Sequence, residues 1–206
     1  MSNFSNSEIE LIQGLFSGIH PMPKNDFLAL LSFVKKTSFK KGEIILNIGE
    51  IDSKINFVIR GLVHTYEIID GKEFTVNLAL PGMVFNSLNS YIKGHPTHEE
   101  QVAIHDTDIL YLEKEKVELL LKKYHSFSIA FGKLYEQILL EREQRAILLQ
   151  HKSAHMRYKY FISTFNRSQT ILNEVPNKLI SQYLCLAPET FCRNKNHMLK
   201  EHCKHA

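Results

Sequence analysis

The beginning of the chain carries apolar residues at intervals of three to four positions, which is the spacing of one helix face. Residues 5–35 keep this spacing on both sides of Pro21-Met22-Pro23. Because proline interrupts a helix, we predict two short helices here. Between residues 37 and 112 the pattern changes to short β-branched and aromatic runs, separated by glycines that are mostly 7 to 12 residues apart. Short strands at this spacing predict a β-sandwich or roll.

One hairpin is especially clear within this meander. Residues 62–69 and 72–80 flank Asp70-Gly71, and an Asp-Gly pair readily takes the positive φ angles of a two-residue turn. Pro81-Gly82 ends the second strand. We expect residues 104–112 to supply a closing strand.

A long helical region is predicted over residues 113–165, where Gly132 is the only glycine. Within it, seven residues recur every 3.5 positions on average, which is the repeat of a coiled coil. We interpret this seam as the interface of a homodimer formed through residues 127–148. Packing of the same residues against the β-roll is the alternative, and the two charged members favour it. The seam comprises Phe127, Phe131, Leu134, Ile138, Glu141, Arg145 and Leu148.

The last part of the chain predicts two short helices joined by a turn. Residues 163–173 are polar and predict a turn before this unit. A helix then opens near Pro176, since proline is favoured at the first helical position, and another begins at Pro188. Two such helices outline a helix-turn-helix.

Charge divides the chain in the same place. Residues 151–206 contain 9 Lys/Arg and 3 Asp/Glu, whereas residues 1–150 contain 16 and 19. A basic unit favours a polyanionic partner, because each cation that meets a phosphate releases condensed counterions. A solvated basic tail is the alternative. All three cysteines fall in the last 22 residues, which argues against a disulfide framework and a four-thiolate cluster.

We predict an α+β protein of three units: a β-roll over 1–123, a dimerisation helix over 124–152 and a basic helix-turn-helix unit over 153–206. No signal peptide or membrane-spanning apolar run occurs, so we expect a cytoplasmic protein without membrane contact. No P-loop, dinucleotide fingerprint or His-Glu-x-x-His pattern occurs either. We therefore expect no enzyme activity, cofactor or metal site.

The order of β meander, long helix and helix-turn-helix resembles the Crp/Fnr superfamily of bacterial regulators over nearly the whole chain. Its most specific motif is Ala-Pro-Glu-Thr-Phe-Cys-Arg at 187–193, which is similar to the start of the family's recognition helix. Residues 41–45, 57–63 and 80–82 are similar to signatures of its cyclic-nucleotide-binding-like roll. The resemblance implies a jelly-roll-like antiparallel β-roll, a homodimer and double-stranded operator DNA as partner, and it allows RNA polymerase as a further partner.

The resemblance also implies which side chains meet DNA. The first turn of the recognition helix enters the major groove. There Glu189, next to Pro188, can accept a hydrogen bond from cytosine, and Arg193 can bond guanine in bidentate fashion. An exposed Glu189–Arg193 helix pair is the alternative. Contacts to phosphates, which position the protein, are assigned to Thr190, Lys178, Lys195 and Lys200.

The effector site departs from the family. Cyclic-AMP-binding relatives hold ribose and phosphate with segments that correspond here to 86–88 and about 97–99. The phosphate-binding arginine is absent, and Glu99 and Glu100 would repel a phosphodiester. We therefore expect a small-molecule effector other than cyclic AMP, or none. The candidate pocket residues are Asn86, Ser87, Leu88, Asn89, Thr97 and His98.

Two other functions stay open. One is a β-roll dimer that has lost DNA binding and acts as a ligand- or protein-binding module. A cysteine at position 185, where the family commonly has glycine, and the polar residues Asn194, Asn196 and His197 favour it. The other is an enzyme with a histidine-based metal centre, disfavoured because the histidines of the roll lack paired ligand spacing.

Overall fold

The computed structural model describes residues 4–205, except for the side chains of residue 7 and residues 198–205. Two helices precede a β-roll, and further helices follow it. The elements are α1 Asn6–Ser17, α2 Lys24–Leu31, β1 Lys35–Phe39, β2 Ile44–Leu46, β3 Lys54–Arg60, β4 Val63–Ile69, β5 Lys72–Ala79, β6 Val84–Phe85, α3 Leu88–Lys93, β7 Glu99–Ala103, β8 Thr107–Glu113, α4 Lys114–Lys123, α5 His125–Gln150, α6 Ala154–Thr164, α7 Ser168–Glu174, α8 Asn177–Tyr183 and α9 Pro188–His205.

The roll consists of two four-stranded antiparallel sheets, in the strand orders β1-β8-β3-β6 and β2-β7-β4-β5. This architecture confirms the predicted fold class. The β4–β5 hairpin turns at Asp70 and Gly71, which have φ angles of 50° and 70°, so the predicted turn is also confirmed. At Gly61, a Cβ would lie 2.7 Å from Thr107 Cα, and only glycine fits this approach of two strands.

The two N-terminal helices lie where the apolar spacing predicts them. Ser5 caps α1 by accepting from the Glu8 amide, and the Glu8 side chain returns a bond to the Ser5 amide. This reciprocal pair satisfies two backbone donors that a helix start leaves open. The buried faces of both helices join one apolar cluster with the roll and with the first half of α5.

Most of the seam on α5 is buried, although Ile138 and Arg145 are half-buried and Glu141 is exposed. Phe127, Phe131, Leu134 and Leu148 are all buried within the same chain, the first three against the cluster just described and Leu148 against the C-terminal helices. The coiled-coil interpretation of these residues is therefore wrong, and the alternative of packing within the chain is correct. Periodicity reveals a buried face but does not say which partner covers it.

A different face of α5 carries exposed apolar side chains. Leu139, Leu140 and Ile147 are 70%, 57% and 45% exposed. We define these three residues as the outer face of α5. Exposed apolar side chains grouped on one helix can mark an interaction surface.

The C-terminal unit contains one helix more than the sequence predicts. Residues 163–173 include most of α7, so the prediction of a turn there is wrong. Ile171 is buried in the apolar cluster of this unit, and the buried Ser168 donates to the Ile162 carbonyl oxygen, 3.2 Å away. Burial of one face against the rest of the protein stabilises this short helix, although the polar sequence by itself has a low tendency to form one.

Candidate nucleic-acid interface and effector cavity

The turn between α8 and α9 has helix-turn-helix geometry. The Leu186 amide donates to the Ser181 carbonyl oxygen over 2.8 Å, and α9 then starts at Pro188. Cys185 lies in the left-handed region at φ 52°, where a non-glycine residue costs about 1 to 2 kcal/mol. Its carbonyl oxygen accepts a bond from Arg157 Nη1 at 2.8 Å, which helps to hold this backbone in place.

Buried aromatic packing fixes the orientation of α9. Phe191 is fully buried, and its ring centroid lies 5.7 Å from that of Tyr158 on α6. Ile180 and Leu184 of the α8 side are also fully buried. Because Phe191 faces inward, the residues two positions before and after it, Glu189 and Arg193, lie on the opposite side of the helix and face outward.

The first turns of α9 carry the residues assigned to base edges and also Thr190, which is assigned to a phosphate. Pro188, Glu189 and Arg193 are exposed, and Thr190 is half-buried. Within the described chain, Glu189 and Arg193 form no ion pair with each other, although their spacing on a helix allows one. Both side chains thus keep their hydrogen-bonding groups available to a ligand.

The residues assigned to phosphates are placed differently from one another. Lys178 is exposed. Lys195 instead donates to the Leu172 carbonyl oxygen and to Asn177 Oδ1, each at 3.2 Å, so two of its three N–H donors bind within the unit. The side chain of Lys200 lies outside the described residues.

Polar side chains of α9 pair with α6. Asn194 Nδ2 donates to the Thr190 carbonyl oxygen at 2.8 Å, and Asn194 Oδ1 lies 3.3 Å from His155 Nδ1. Asn194 therefore contributes a polar contact between helices, whereas Asn196 and His197 are exposed.

Two of the candidate effector residues are held by the fold. Ser87 and Thr97 are buried, and their hydroxyl oxygens are 2.8 Å apart. The Ser87 amide donates to Asp52 Oδ2 at 2.7 Å, and the Glu99 amide donates to Thr97 Oγ1 at 2.9 Å. Burial raises the pKa of Asp52, while its bonds to backbone amides lower it. Asp52 organises this network, and no local sequence signal identifies it.

The other four candidates are spread over the surface and one cavity. Leu88 is half-buried, and Asn89 and His98 are exposed. Asn86 lines a cavity of about 410 Å³ between α5 and the strands β5 and β6, which we call the α5 cavity. A volume of this size suits a small molecule. The structure therefore brings only Asn86 of the six into this cavity.

Arg145 forms one wall of the α5 cavity and joins three elements. Its Nη1 and Nη2 donate to the carbonyl oxygens of Val76 and Thr75, both at 2.5 Å. Its guanidinium lies 4.3 Å from the ring centroid of Tyr183 on α8, within the range of a cation–π interaction. Arg145 thus connects the roll, the long helix and the helix-turn-helix. In the sequence, Arg145 stood out as a charged residue on a seam that is mostly apolar.

Two carboxyl groups, those of Glu67 and Glu99, lie near each other on the neighbouring strands β4 and β7. Glu99 is half-buried, and its Oε2 is buried without a hydrogen bond. Burial raises the pKa of Glu99, the nearby Glu67 raises it further, and Arg142 on α5 lowers it. A phosphodiester beside these two carboxyl groups would be repelled.

Comparisons with known proteins agree with this architecture. Residues 36–124, from β1 to α4, match the family model of the cyclic nucleotide-binding domain. No curated protein matches the sequence significantly.

Three solved structures share the fold. FixK2 from Bradyrhizobium japonicum is 21% identical, with a TM-score of 0.68 over 82% of this chain and 86% of that one. The catabolite activator protein of Thermus thermophilus is 21% identical, with a TM-score of 0.54 over 91% and 87%. The sensor domain of the transcriptional regulator DNR from Pseudomonas aeruginosa is 17% identical, with a TM-score of 0.54 over 71% and 96%. At these identities the likeness shows a Crp/Fnr-like fold.

Two further properties hold for the described part of the chain. No helix in it combines the length and the apolar character needed to cross a bilayer. No group of three or more His, Cys, Asp and Glu side chains in it has the geometry of a metal site.

Proposed function

We propose that this protein is a transcription regulator of the Crp/Fnr type that binds operator DNA as a homodimer. The observation that carries the proposal is the first turn of α9. There Phe191 is fully buried and turns Glu189 and Arg193 outward at the start of a helix in a basic unit, which is the arrangement that a recognition helix needs. Residues 1–123 would form the effector domain, 124–152 the dimerisation helix and 153–206 the DNA-binding unit.

The dimer uses the outer face of α5. The range 127–148 stays the proposed interface, but Leu139, Leu140 and Ile147 replace the buried seam residues as its contacts. A twofold arrangement on this face would present two α9 helices together. Half-sites on DNA are then expected about 34 Å apart, one turn of the double helix.

The effector is neither a cyclic nucleotide nor another phosphodiester. Glu67 and Glu99 disfavour an anion, and Arg145 is occupied by the Thr75 and Val76 carbonyl oxygens. A ligand in the α5 cavity would contact Asn86 and Arg145 and would shift α5 and α8 together, because Arg145 binds both the roll and Tyr183. Regulation would follow from the changed distance between the two α9 helices.

Arg193→Ala tests the DNA interface. An operator is first isolated by in vitro selection from random duplexes, and a twofold-symmetric site is expected. The variant should bind it at least about fivefold more weakly, since a bidentate arginine–guanine contact is worth about 1 to 3 kcal/mol. Fluorescence anisotropy at several salt concentrations measures this affinity, and wild-type affinity should fall steeply with salt because phosphate contacts release counterions.

Lys93→Ala is the matched control. Lys93 is an exposed cation on the roll, so its replacement by Ala removes the same charge as Arg193→Ala does. It should bind the operator like the wild type. Selection that enriches no sequence, or equal affinity of the Arg193 variant, would discard the assigned role of α9.

A double substitution, Leu140→Glu with Ile147→Glu, tests the dimer face. Both residues are exposed in the single chain, so the variant should fold, but two carboxylates in an apolar interface oppose association. Sedimentation velocity should show a dimer for the wild type and a dimerisation constant weakened at least about 100-fold, or about 2.7 kcal/mol, for the variant. Ile92→Glu, at a 60% exposed position on α3, should stay dimeric. A dimeric double variant would place the interface elsewhere.

A module that binds a ligand or a protein but no longer binds DNA is the second candidate. The internal bonds of Lys195 and the left-handed Cys185 favour it, since the first removes a phosphate contact and the second strains the turn. The DNA selection distinguishes the two functions, because this candidate would enrich no sequence while the dimer persists.

A further inference from the structure

A second cavity lies between the two sheets of the roll, away from α5. It has a volume of about 540 Å³ and shares no lining residue with the α5 cavity. Its size is within the range of small-molecule sites. The apolar and aromatic part of its wall comprises Phe39, Ile45, Leu46, Ile51, Ile109 and Tyr111.

One polar side chain in this wall has no hydrogen-bond partner. Gln101 on β7 is 1% exposed, and neither its Oε1 nor its Nε2 makes a hydrogen bond. Its amide lies beside the Asp52 carboxyl group and lowers the pKa of that group, without the geometry of a full hydrogen bond. A buried amide without partners destabilises a fold, so such a group needs an explanation.

The neighbouring polar groups are already occupied. Asp52 Oδ1 accepts from the Lys54 amide at 3.1 Å, and Asp52 Oδ2 accepts from the Ser87 amide at 2.7 Å. Asn56 Nδ2 donates to the Phe85 carbonyl oxygen at 3.4 Å. The Lys54 ammonium lies 4.8 Å from the ring centroid of Tyr111. The neutral primary amide of Gln101 is therefore a buried polar group of this cavity that is left without a partner, and it lies beside the apolar and aromatic part of the wall.

We propose that this cavity between the sheets is a second ligand site, and that Gln101 recognises an uncharged, planar ligand with adjacent hydrogen-bond donor and acceptor atoms, such as a lactam or a nucleobase. A primary amide pairs with such an edge through two parallel hydrogen bonds, as Gln does with adenine in DNA. Glu50, Asp52 and Lys54 also line the cavity, and the two acidic side chains disfavour an anionic ligand. The site is independent of DNA binding.

A matched pair of small ligands tests the proposal on the full-length protein. The probe is 2-pyridone, which has an N–H donor next to a carbonyl acceptor, and its control is N-methyl-2-pyridone, which lacks the donor. NMR of the side-chain amides should show a shift of the Gln101 signal with 2-pyridone in the millimolar range. Binding of the methylated ligand should be at least about tenfold weaker, the expected loss for one buried hydrogen bond.

Gln101→Leu assigns the effect to this residue. Without ligand, the variant should unfold about 2 to 8 °C higher than the wild type, because it removes an unpaired polar group from an apolar wall, and it should lose the response to 2-pyridone. Gln101→Met repeats the test with a flexible side chain, and Gln150→Leu, at an exposed position, is the control that should behave like the wild type. Equal binding of the two ligands, or an unchanged response of both Gln101 variants to 2-pyridone, would overturn the proposal. A lower unfolding temperature of both variants would also overturn it, because it would indicate that a structural water satisfies Gln101.

Discussion

Phe191→Ala is expected to unfold the C-terminal unit and to abolish DNA binding. The ring is fully buried and packs near Tyr158, and truncating a buried Phe to Ala costs about 3 to 5 kcal/mol. Whole domains are stable by only about 5 to 15 kcal/mol. The loss is therefore a large part of what holds α9 on α6 and α8. Thermal unfolding, and hydrogen exchange at the amides of α6 and α8, measure this loss of stability.

Two variants control for this result. Phe191→Leu keeps most of the apolar volume and should lose much less stability. Met156→Ala removes a long apolar side chain from the same unit at a 45% exposed position, so it should change stability by less than about 1 kcal/mol. Wild-type exchange rates in the Phe191→Ala protein would mean that other contacts fix α9.

The stability of the roll should fall as the pH drops from about 6.5 to about 4 because of His64. This ring is 3% exposed, and its Nε2 lies 2.9 Å from Thr75 Oγ1. Burial lowers its pKa from 6.5 to about 4; Glu73 partly opposes this, and Lys178 adds to it. Between these two pH values the unfolded chain therefore binds more protons than the folded one, and acid favours unfolding.

The lowered pKa of His64 corresponds to a loss of about 3 kcal/mol in the free energy of unfolding over this pH range, since one pKa unit is worth about 1.4 kcal/mol. The raised pKa values of Asp52 and Glu99 act in the opposite direction, because their folded forms bind protons earlier. The comparison of His64→Gln with the wild type isolates the histidine, and denaturant unfolding at a series of pH values measures the slope. The variant should lose the fall in stability that His64 causes between pH 6.5 and 4, whereas His98→Gln, at an exposed position, should keep it. An unchanged slope in His64→Gln would contradict a buried neutral ring.

Local sequence signals identified the elements that depend on local chemistry. The Pro21-Met22-Pro23 break, the Asp70-Gly71 turn and the start of α9 at Pro188 were all predicted correctly. Each of them depends on the backbone preferences of one or two residues, and these preferences act wherever the segment lies in the fold. The motif at 187–193 added the position of the exposed side chains on α9.

The tertiary structure decided which surfaces meet. The repeat on α5 showed that one face is buried, but only packing showed that α1, the roll and the C-terminal helices cover it. Asp52 and Ser87 are 35 residues apart, and Arg145 binds carbonyl oxygens 69 and 70 residues away. Such contacts form only when strands and helices come together, so neighbouring residues in the sequence hold no trace of them. For the same reason the unpaired amide of Gln101 became visible only in the folded chain.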